Sequence, residues 1–508
     1  MGALIQTADV AGRRAVDDVA DVVIVGSGAA GATAARVLAE AGVSVIVIEE
    51  GAPALSEALR RDVWSGLRAR WRDAGAQAAR GRAFIPILQG VCVGGSTAIN
   101  GAIIRRMPEA IHALWQTEHG LGEALRYADL TRVWDVMDSE LRVGEAPEDV
   151  LGQNNLLMRD GARALGIASS AIRRNVDGCR GSARCLQGCP TSQRQSMDVT
   201  YVPRAMAAGA RVYATCKAER VFAEGGRAAG VRARFVDRAS GRRGPILTAR
   251  ARRAVIVAAS AVQTPLLLLA SGLGRRSGLV GRRFQAHPGT SVVGVFHGKV
   301  EMSFGATQGW ESTHFWNDRM KFETVALPPE LAAVRLPGFG AELVGALAGY
   351  DHLACWGVQL RARAHGRVRP ALGGGAAVAY DLTDEDARTL KRGVTILAEM
   401  LFAAGAREVL PGVFGLPERV RSMDDVRRID ALPDDPRLFH CIATHLFGTA
   451  VMGPDPATSV VATDGQSHEL PGLYVADSSI FPTNLGVNPQ HTIAAVAWLI
   501  AERIAQSA

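Results

Sequence analysis

The sequence is short of the features that mark several protein classes. Its 508 residues hold only seven cysteines, and four of them, Cys92, Cys216, Cys355 and Cys441, stand alone. That spacing excludes a disulfide scaffold and leads us to expect a reducing, cytoplasmic setting. Long apolar runs are missing too: the longest tract, residues 254–269, is broken by Ser260, Gln263, Thr264 and Pro265, so no membrane span is expected. The N-terminus has no apolar core of signal-peptide length, and Arg13 and Arg14 run into Asp17 and Asp18 rather than into an export signal. Charge of one sign is scarce. Fifty-seven Lys and Arg against 50 Asp and Glu give +7, too dilute for a nucleic-acid footprint. Arg60, Arg61, Arg68, Arg70, Arg72, Arg80 and Arg82 crowd one stretch, without the interleaved aromatics that stack on bases. There Trp64, Leu67 and Trp71 fall at helical spacing, which predicts a solvated helix with a packed apolar stripe.

What is present is ordinary for a globular protein: 48% of residues are apolar and 21% charged. The length predicts about three domains as a soft prior, hence two or more lobes. Glycine, at 56 residues, exceeds the usual share of about 7% without forming a period or tract. Tight turns and close backbone approaches to a ligand account for such an excess.

The strongest local signal is Asp21-Val-Val-Ile-Val-Gly26-Ser-Gly28-Ala-Ala-Gly31, followed by a helix over 32–41 and an apolar strand over 43–48 that ends at Glu49. In this strand, GxGxxG, helix, strand, acid unit, Gly26 permits the turn and Gly28 lets the backbone approach a pyrophosphate at the helix N-terminus. Gly31 lets helix and strand pack closely. Glu49 stands 49 − 31 = 18 residues on, where a carboxylate can accept from both ribose hydroxyls. The unit predicts a dinucleotide site and leaves NAD and FAD open.

The rest of the chain decides between them. A second glycine loop runs over 94–101 and includes Gly95, Ser96 and Asn100. A buried strand over 253–260 leads to a helix expected to begin at Pro265 and stop at Gly272 to Gly274. A strand ends at Asp477, and Asn488-Pro489-Gln490-His491 opens a last helix over 493–504. In order and wording these motifs, with Val280 to Pro288 and the block from His445, resemble the glucose–methanol–choline (GMC) family of flavoprotein oxidoreductases over nearly the whole chain. The wording at Gly486 to Pro489 is most similar to the cholesterol-oxidase branch.

The resemblance implies an α/β fold: a Rossmann-like FAD domain from 15–60, 84–106, 196–290 and 455–508, and a substrate domain on an antiparallel sheet from 107–195 and 291–454. It implies FAD as cofactor, bound without a covalent link because neither His nor Cys stands in the loop at Asn100. Ala218 matches the position whose backbone holds adenine, and Asp477 one that bonds a flavin-side oxygen or a backbone amide. The implied reaction is oxidation of a primary or secondary alcohol to aldehyde or ketone, with hydride to flavin N5 and proton to a base. His445 matches that base, and a histidine with a pKa near 6.5 suits a base working around neutrality. Asn488 matches the second catalytic position, its amide able to donate to an alkoxide or accept from a hydroxyl. His491 is the rival, expected to be structural, and His287 reads as a residue at the domain junction.

The electron acceptor is expected to be oxygen or an external partner. A sugar dehydrogenase using a quinone or cytochrome, and a flavin-dependent lyase or decarboxylase on the same fold, are the alternatives. Phe304, Trp310, Phe315, Trp316 and Trp356 favour a bulky or aromatic alcohol, although core packing explains most such residues. Cys179, Cys185 and Cys189 could ligate an iron–sulfur cluster. The paired cysteines that open the cluster insert of related sugar dehydrogenases are absent, so free thiols or a local disulfide are expected before a cluster, and no other metal site is expected.

Overall fold

The computed structural model describes residues 2–53, 62–237, 240–274 and 277–507. Two sheets organise the chain. The first has eight strands in a mainly parallel arrangement: Ala3–Ile5, Arg211–Tyr213, Val45–Ile48, Ala15–Val25, Arg243–Val257, Arg227–Val236 and Cys216–Glu224 in spatial order, with Leu473–Val475 also pairing Arg243–Val257. Val22 to Val25 and Val45 to Ile48 are buried without a break, as befits strands covered on both faces. The sequence reading did not anticipate the opening strand Ala3–Ile5, since three residues carry no detectable period.

The second sheet has eleven strands, largely antiparallel, with Arg282–Val295 as its spine. That strand pairs with Leu353–Leu360, Gly366–Pro370, Glu408–Leu410 and Ile442–Phe447. It belongs to this sheet from Arg282 onward, and so does Phe84–Pro86, so on these two stretches sheet membership differs from the limits expected at 290 and 84. The helix Asp384–Ala403 backs the sheet. Thr383 and Asp386 close a capping box at its start, and Leu390, Val394, Leu397 and Leu401 bury one stripe at helical spacing.

Two local readings are corrected. The helix expected to start at Pro265 begins at Ser260 and ends at Ala270, so the proline lies inside it. Pro265 has no N–H to offer the carbonyl four residues back, and the orphaned Ala261 oxygen instead accepts from Thr449 Oγ1 at 2.8 Å. In the arginine-rich stretch the helix covers only Val63–Arg70, and its expected stripe holds in part: Trp71, just past its end, is buried and Leu67 half-buried, but Trp64 is 60% exposed, and Arg70 is buried. Arg60 and Arg61 lie outside the described residues.

The last helix, Gln490–Gln506, packs against the first long one, Ala29–Glu40, whose small side chains let the two approach. Among the described residues no helix is long and apolar enough to cross a membrane.

Candidate active site

A cavity of about 1380 Å³ runs between the sheets, and residues from both line it. Gly26, Gly28, Glu49, Gly95, Ser96, Asn100, Ala218 and Asp477 line it, and so do His445 and Asn488. One space thus gathers all the expected site residues except Gly31, whose position explains its exclusion. A Cβ on Gly31 would stand 2.0 Å from the Gly26 carbonyl oxygen, so its glycine serves the turn behind the wall.

The two glycine loops touch. Gly94 N–H donates to Ser27 Oγ at 3.0 Å, and a Cβ added to Gly95 would stand 2.9 Å from Gly28 Cα. Gly28 is the N-cap of Ala29–Glu40 and supplies no side chain to satisfy the helix's first amides. A Cβ there would meet nothing nearer than 3.9 Å, so the helix N-terminus opens onto free space. Unmet amides beside an open cradle fit a pyrophosphate. Glu49 is in the wall. Its Oε2 accepts from Ser27 N–H (3.0 Å) and Oγ–H (2.7 Å), its Oε1 accepts from Gly51 N–H (2.8 Å), and burial raises its carboxyl pKa.

Asp477 takes the backbone-amide option. It accepts from the N–H groups of Ser260 (2.9 Å) and Ser479 (2.8 Å) and from Thr264 Oγ1 (2.5 Å), tying the helix Ser260–Ala270 to the C-terminal segment. Asn100 Nδ2 donates to Gln490 Oε1 at 2.5 Å, joining the second glycine loop to the last helix.

Of the two residues expected to be catalytic, Asn488 Nδ2 and His445 Nε2 are 3.5 Å apart. Lys321 Nζ stands 2.5 Å from Asn488 Oδ1. An ammonium only donates, so the amide oxygen faces Lys321 and the amide NH₂ faces His445. Lys321 is 1% exposed and sits between Glu311 (2.6 Å) and Glu323; Arg105 also pairs with Glu311, and Gln308 Nε2 donates to Glu323 Oε2 at 2.9 Å. Sequence reasoning missed this buried cluster. His491 lies outside the cavity wall, its Nε2 2.9 Å from Asp138 Oδ1.

His445 has a second imidazole beside it, with Nδ1 3.2 Å from His287 Nδ1. Burial first, and the Lys321 charge second, push the His445 pKa down to about 3. His287 is likewise held well below its ordinary value, by burial and then by His445. The base expected to titrate near 6.5 is therefore neutral across the working range.

A stability consequence follows from the sign of these shifts. Unfolded histidines take up protons below about pH 6.5 while the two folded rings do not, so the unfolded state binds more protons and acid destabilises the fold. Well below pH 6.5 each ring contributes a slope of about 1.4 kcal/mol per pH unit. Denaturant unfolding followed from pH 7 to 5 should show stability falling with pH, less steeply in His445→Asn than in the wild type. Equal slopes in the two proteins would contradict the assignment of a neutral His445.

The aromatic side chains meet a different geometry from the one expected. None of Phe304, Trp310, Phe315, Trp316 or Trp356 lines the cavity; Trp356 is core, and Trp316 lies under Arg361. The cavity's apolar lining comes instead from residues such as Val325, Leu327, Leu331, Phe439 and Leu446. Among the cysteines, the sulfurs of Cys179 and Cys185 face the guanidinium of buried Arg174 at 3.7 and 3.2 Å, whereas Cys189 faces Thr191 at 3.5 Å. Among the described residues no group of three such side chains converges on a metal position.

Comparison with known proteins identifies the arrangement. Models of the GMC oxidoreductase family match residues 20–289 and 364–497. An uncharacterized GMC-type oxidoreductase of Mycobacterium tuberculosis is 37% identical over 489 residues, 95% of this chain and 75% of that one. A long-chain-alcohol oxidase of Arabidopsis thaliana is 29% identical over 511 residues, 94% of this chain and 68% of that one. The fold superposes on a formate oxidase variant of Aspergillus oryzae with a TM-score of 0.71 at 16% identity, covering 97% of this chain and 99% of that one. With two glycine loops, a shared cavity and matching segments on both sides of it, the chain belongs to the GMC oxidoreductase family, FAD-dependent enzymes that act on CH–OH groups.

Proposed function

We propose that the protein oxidises a lipophilic primary or secondary alcohol, long-chain or bulky, to the aldehyde or ketone. The observation that carries this reading is the apolar lining contributed by Val325, Leu327, Leu331, Phe439 and Leu446 to the cavity that also holds His445 and Asn488. A hexose would leave its hydroxyls unpaired against such a wall, at a cost of the order of 1–3 kcal/mol for each desolvated group. The likeness to long-chain-alcohol oxidases points the same way.

Residues around the glycine loops would hold FAD. The Gly26, Gly28 and Gly95 backbones would cradle its pyrophosphate, Glu49 would take the ribose and Ala218 would border the adenine, with Ser96 and Asn100 lining the same cavity. With no His or Cys between Gly94 and Gly101, the cofactor is held without a covalent bond. Bound FAD supplies the acceptor for the carbinol hydride. The chain's own part is to place and deprotonate the alcohol. Asn488 Nδ2 donates to the alcohol oxygen, in the orientation Lys321 imposes, and His445 Nε2 takes the hydroxyl proton as the hydride leaves. Electrons leave the reduced enzyme to oxygen or to an external acceptor.

A homologous series of straight-chain alcohols tests the reading. Each methylene buried against the wall adds about 0.8 kcal/mol, so kcat/KM should rise about threefold to fourfold per carbon until the cavity is filled. Oxygen and a dye acceptor run side by side would assign the acceptor, and acid precipitation should leave all flavin in solution. A flat series together with turnover of hexoses would overturn the substrate class.

A further inference from the structure

Among the described residues six Lys and Arg side chains line the cavity, and five of them are matched by carboxylates. Arg72 and Lys217 pair with Glu50, Arg82 with Asp381 and Asp384, Arg243 with Glu219, and Arg437 with Asp435. Arg335 is the sixth. Burial lowers its pKa, and among the described residues no carboxylate acts on it. Its Nε donates to Ser291 Oγ at 3.1 Å, and its Nη2 donates to the Pro411 carbonyl at 3.2 Å and to the Ser291 carbonyl. Nη1 is left without a hydrogen-bond partner among the described residues. Gly412 gives the guanidinium its room, since a Cβ there would collide with it. Carbonyl dipoles do not cancel a net charge, and a half-buried cation calls for a counter-ion.

The place of this cation suits the far end of a substrate. Ser291 follows His287 by 291 − 287 = 4 residues on the strand Arg282–Val295, about 13 Å at about 3.3 Å per residue, and His287 meets His445. Around the guanidinium, Ser291, Cys355 and Cys441 line the cavity with it, and so do Leu331 and Val334 of its own helix, Pro329–Arg335. Val334 is 78% exposed and His440, another lining residue, is exposed too, so this part of the lining lies at the mouth. His440 registers the unopposed charge: burial first and Arg335 second lower its pKa. Glu323, two strands across the sheet from Ser291, is already matched by Lys321.

Resting on the reading of this cavity as the site of a lipophilic alcohol, we propose that Arg335 binds a carboxylate at the mouth. The substrate is then a long-chain hydroxy acid, whose hydroxyl meets His445 and Asn488 while its carboxylate stays with Arg335. One carboxylate oxygen accepts from Nη1 in a charge-assisted hydrogen bond, and the other faces water. The apolar chain is buried against the lining, and the charged end keeps its hydration, the arrangement that amphipathic groups favour. The carboxylate takes no part in the oxidation, so the product is the corresponding oxo acid.

Matched pairs test the subsite: straight-chain hydroxy acids with the hydroxyl at the far end, and their methyl esters, which keep chain and hydroxyl but lack the charge. In the flavin-loaded wild type, kcat/KM for flavin reduction should favour acid over ester by about 10–100-fold at the length that spans the two places, and by less in shorter chains. In Arg335→Gln the acid-to-ester ratio should collapse, whereas Arg335→Lys, which keeps the charge without the fork, should retain part of it. Should the Gln variant fail to fold, inhibition of the wild type gives a second reading. A straight-chain fatty acid of the same length should compete with a long-chain alcohol at least about 10-fold better than its methyl ester. Equal use of acid and ester by the wild type, equal inhibition by fatty acid and ester, or an unchanged ratio in folded Arg335→Gln would overturn the carboxylate subsite. Failure of the underlying reading looks different: acid, ester and plain alcohol would all leave the flavin oxidised, and the subsite would fall with it.

Discussion

Replacing His445 by alanine is expected to slow flavin reduction by about 10²–10⁴-fold, the usual contribution of a positioned base, while FAD content stays at the wild-type level. The contacts that build the cradle of Gly26, Gly28 and Gly95 do not involve the imidazole, so flavin content serves as the control. The pH profile carries a second signature. Because burial holds His445 neutral down to about pH 3, the wild type should show no acid limb from this ring between pH 5 and 8. His491→Ala is the control: its ring contacts Asp138 away from the cavity, and its loss should lower stability rather than turnover. Collapse of reduction in His491→Ala alone, with His445→Ala near wild type, would move the base and overturn the assignment.

The second large effect is expected at Lys321. Substitution by methionine keeps the length of the side chain and removes the cation between Glu311 and Glu323, leaving two buried carboxylates without it. Breaking a buried pair in this way typically costs about 3–5 kcal/mol. The same change frees the Asn488 amide to turn its oxygen towards the substrate, so turnover should fall as well. A triple variant with Glu311→Gln and Glu323→Gln separates the two effects. Stability should return in large part while turnover stays low, because only the lysine sets the amide. Recovery of both together would show that Lys321 acts on activity through stability alone.

The legibility of these parts from sequence tracks how local their signals are. The strand, turn, helix, strand unit from Asp21 to Glu49 is contiguous, and Gly26 and Gly31 have steric reasons that the structure reproduces, while Gly28 faces open space. His445 and Asn488 were found through motif wording, and the fold brings them to one point although 43 residues separate them. Lys321 was invisible for a physical reason. Met320 to Thr324 alternates apolar and polar residues like a strand with one wet face, yet all five are buried, because charge neutralisation by Glu311 and Glu323 lets the polar face be covered. His287 was read as a junction residue, and nothing local could show that its ring meets His445 from a strand 158 residues earlier. Pro265 was misplaced by the rule that favours proline at helix starts; only Thr449, far along the chain, makes its interior position tolerable.

The contact between the second glycine loop and the last helix, through Asn100 and Gln490, sets a timetable for the chain as it is made. Glu49 completes the first half of the cradle, and Asn488 follows 488 − 49 = 439 residues later. At about 5–20 residues per second that interval is about 20–90 s. Until then the nascent polypeptide displays the pyrophosphate turn without Asn488 and without the last helix that packs on Ala29–Glu40. The site is therefore completed only when the last helix docks on Ala29–Glu40.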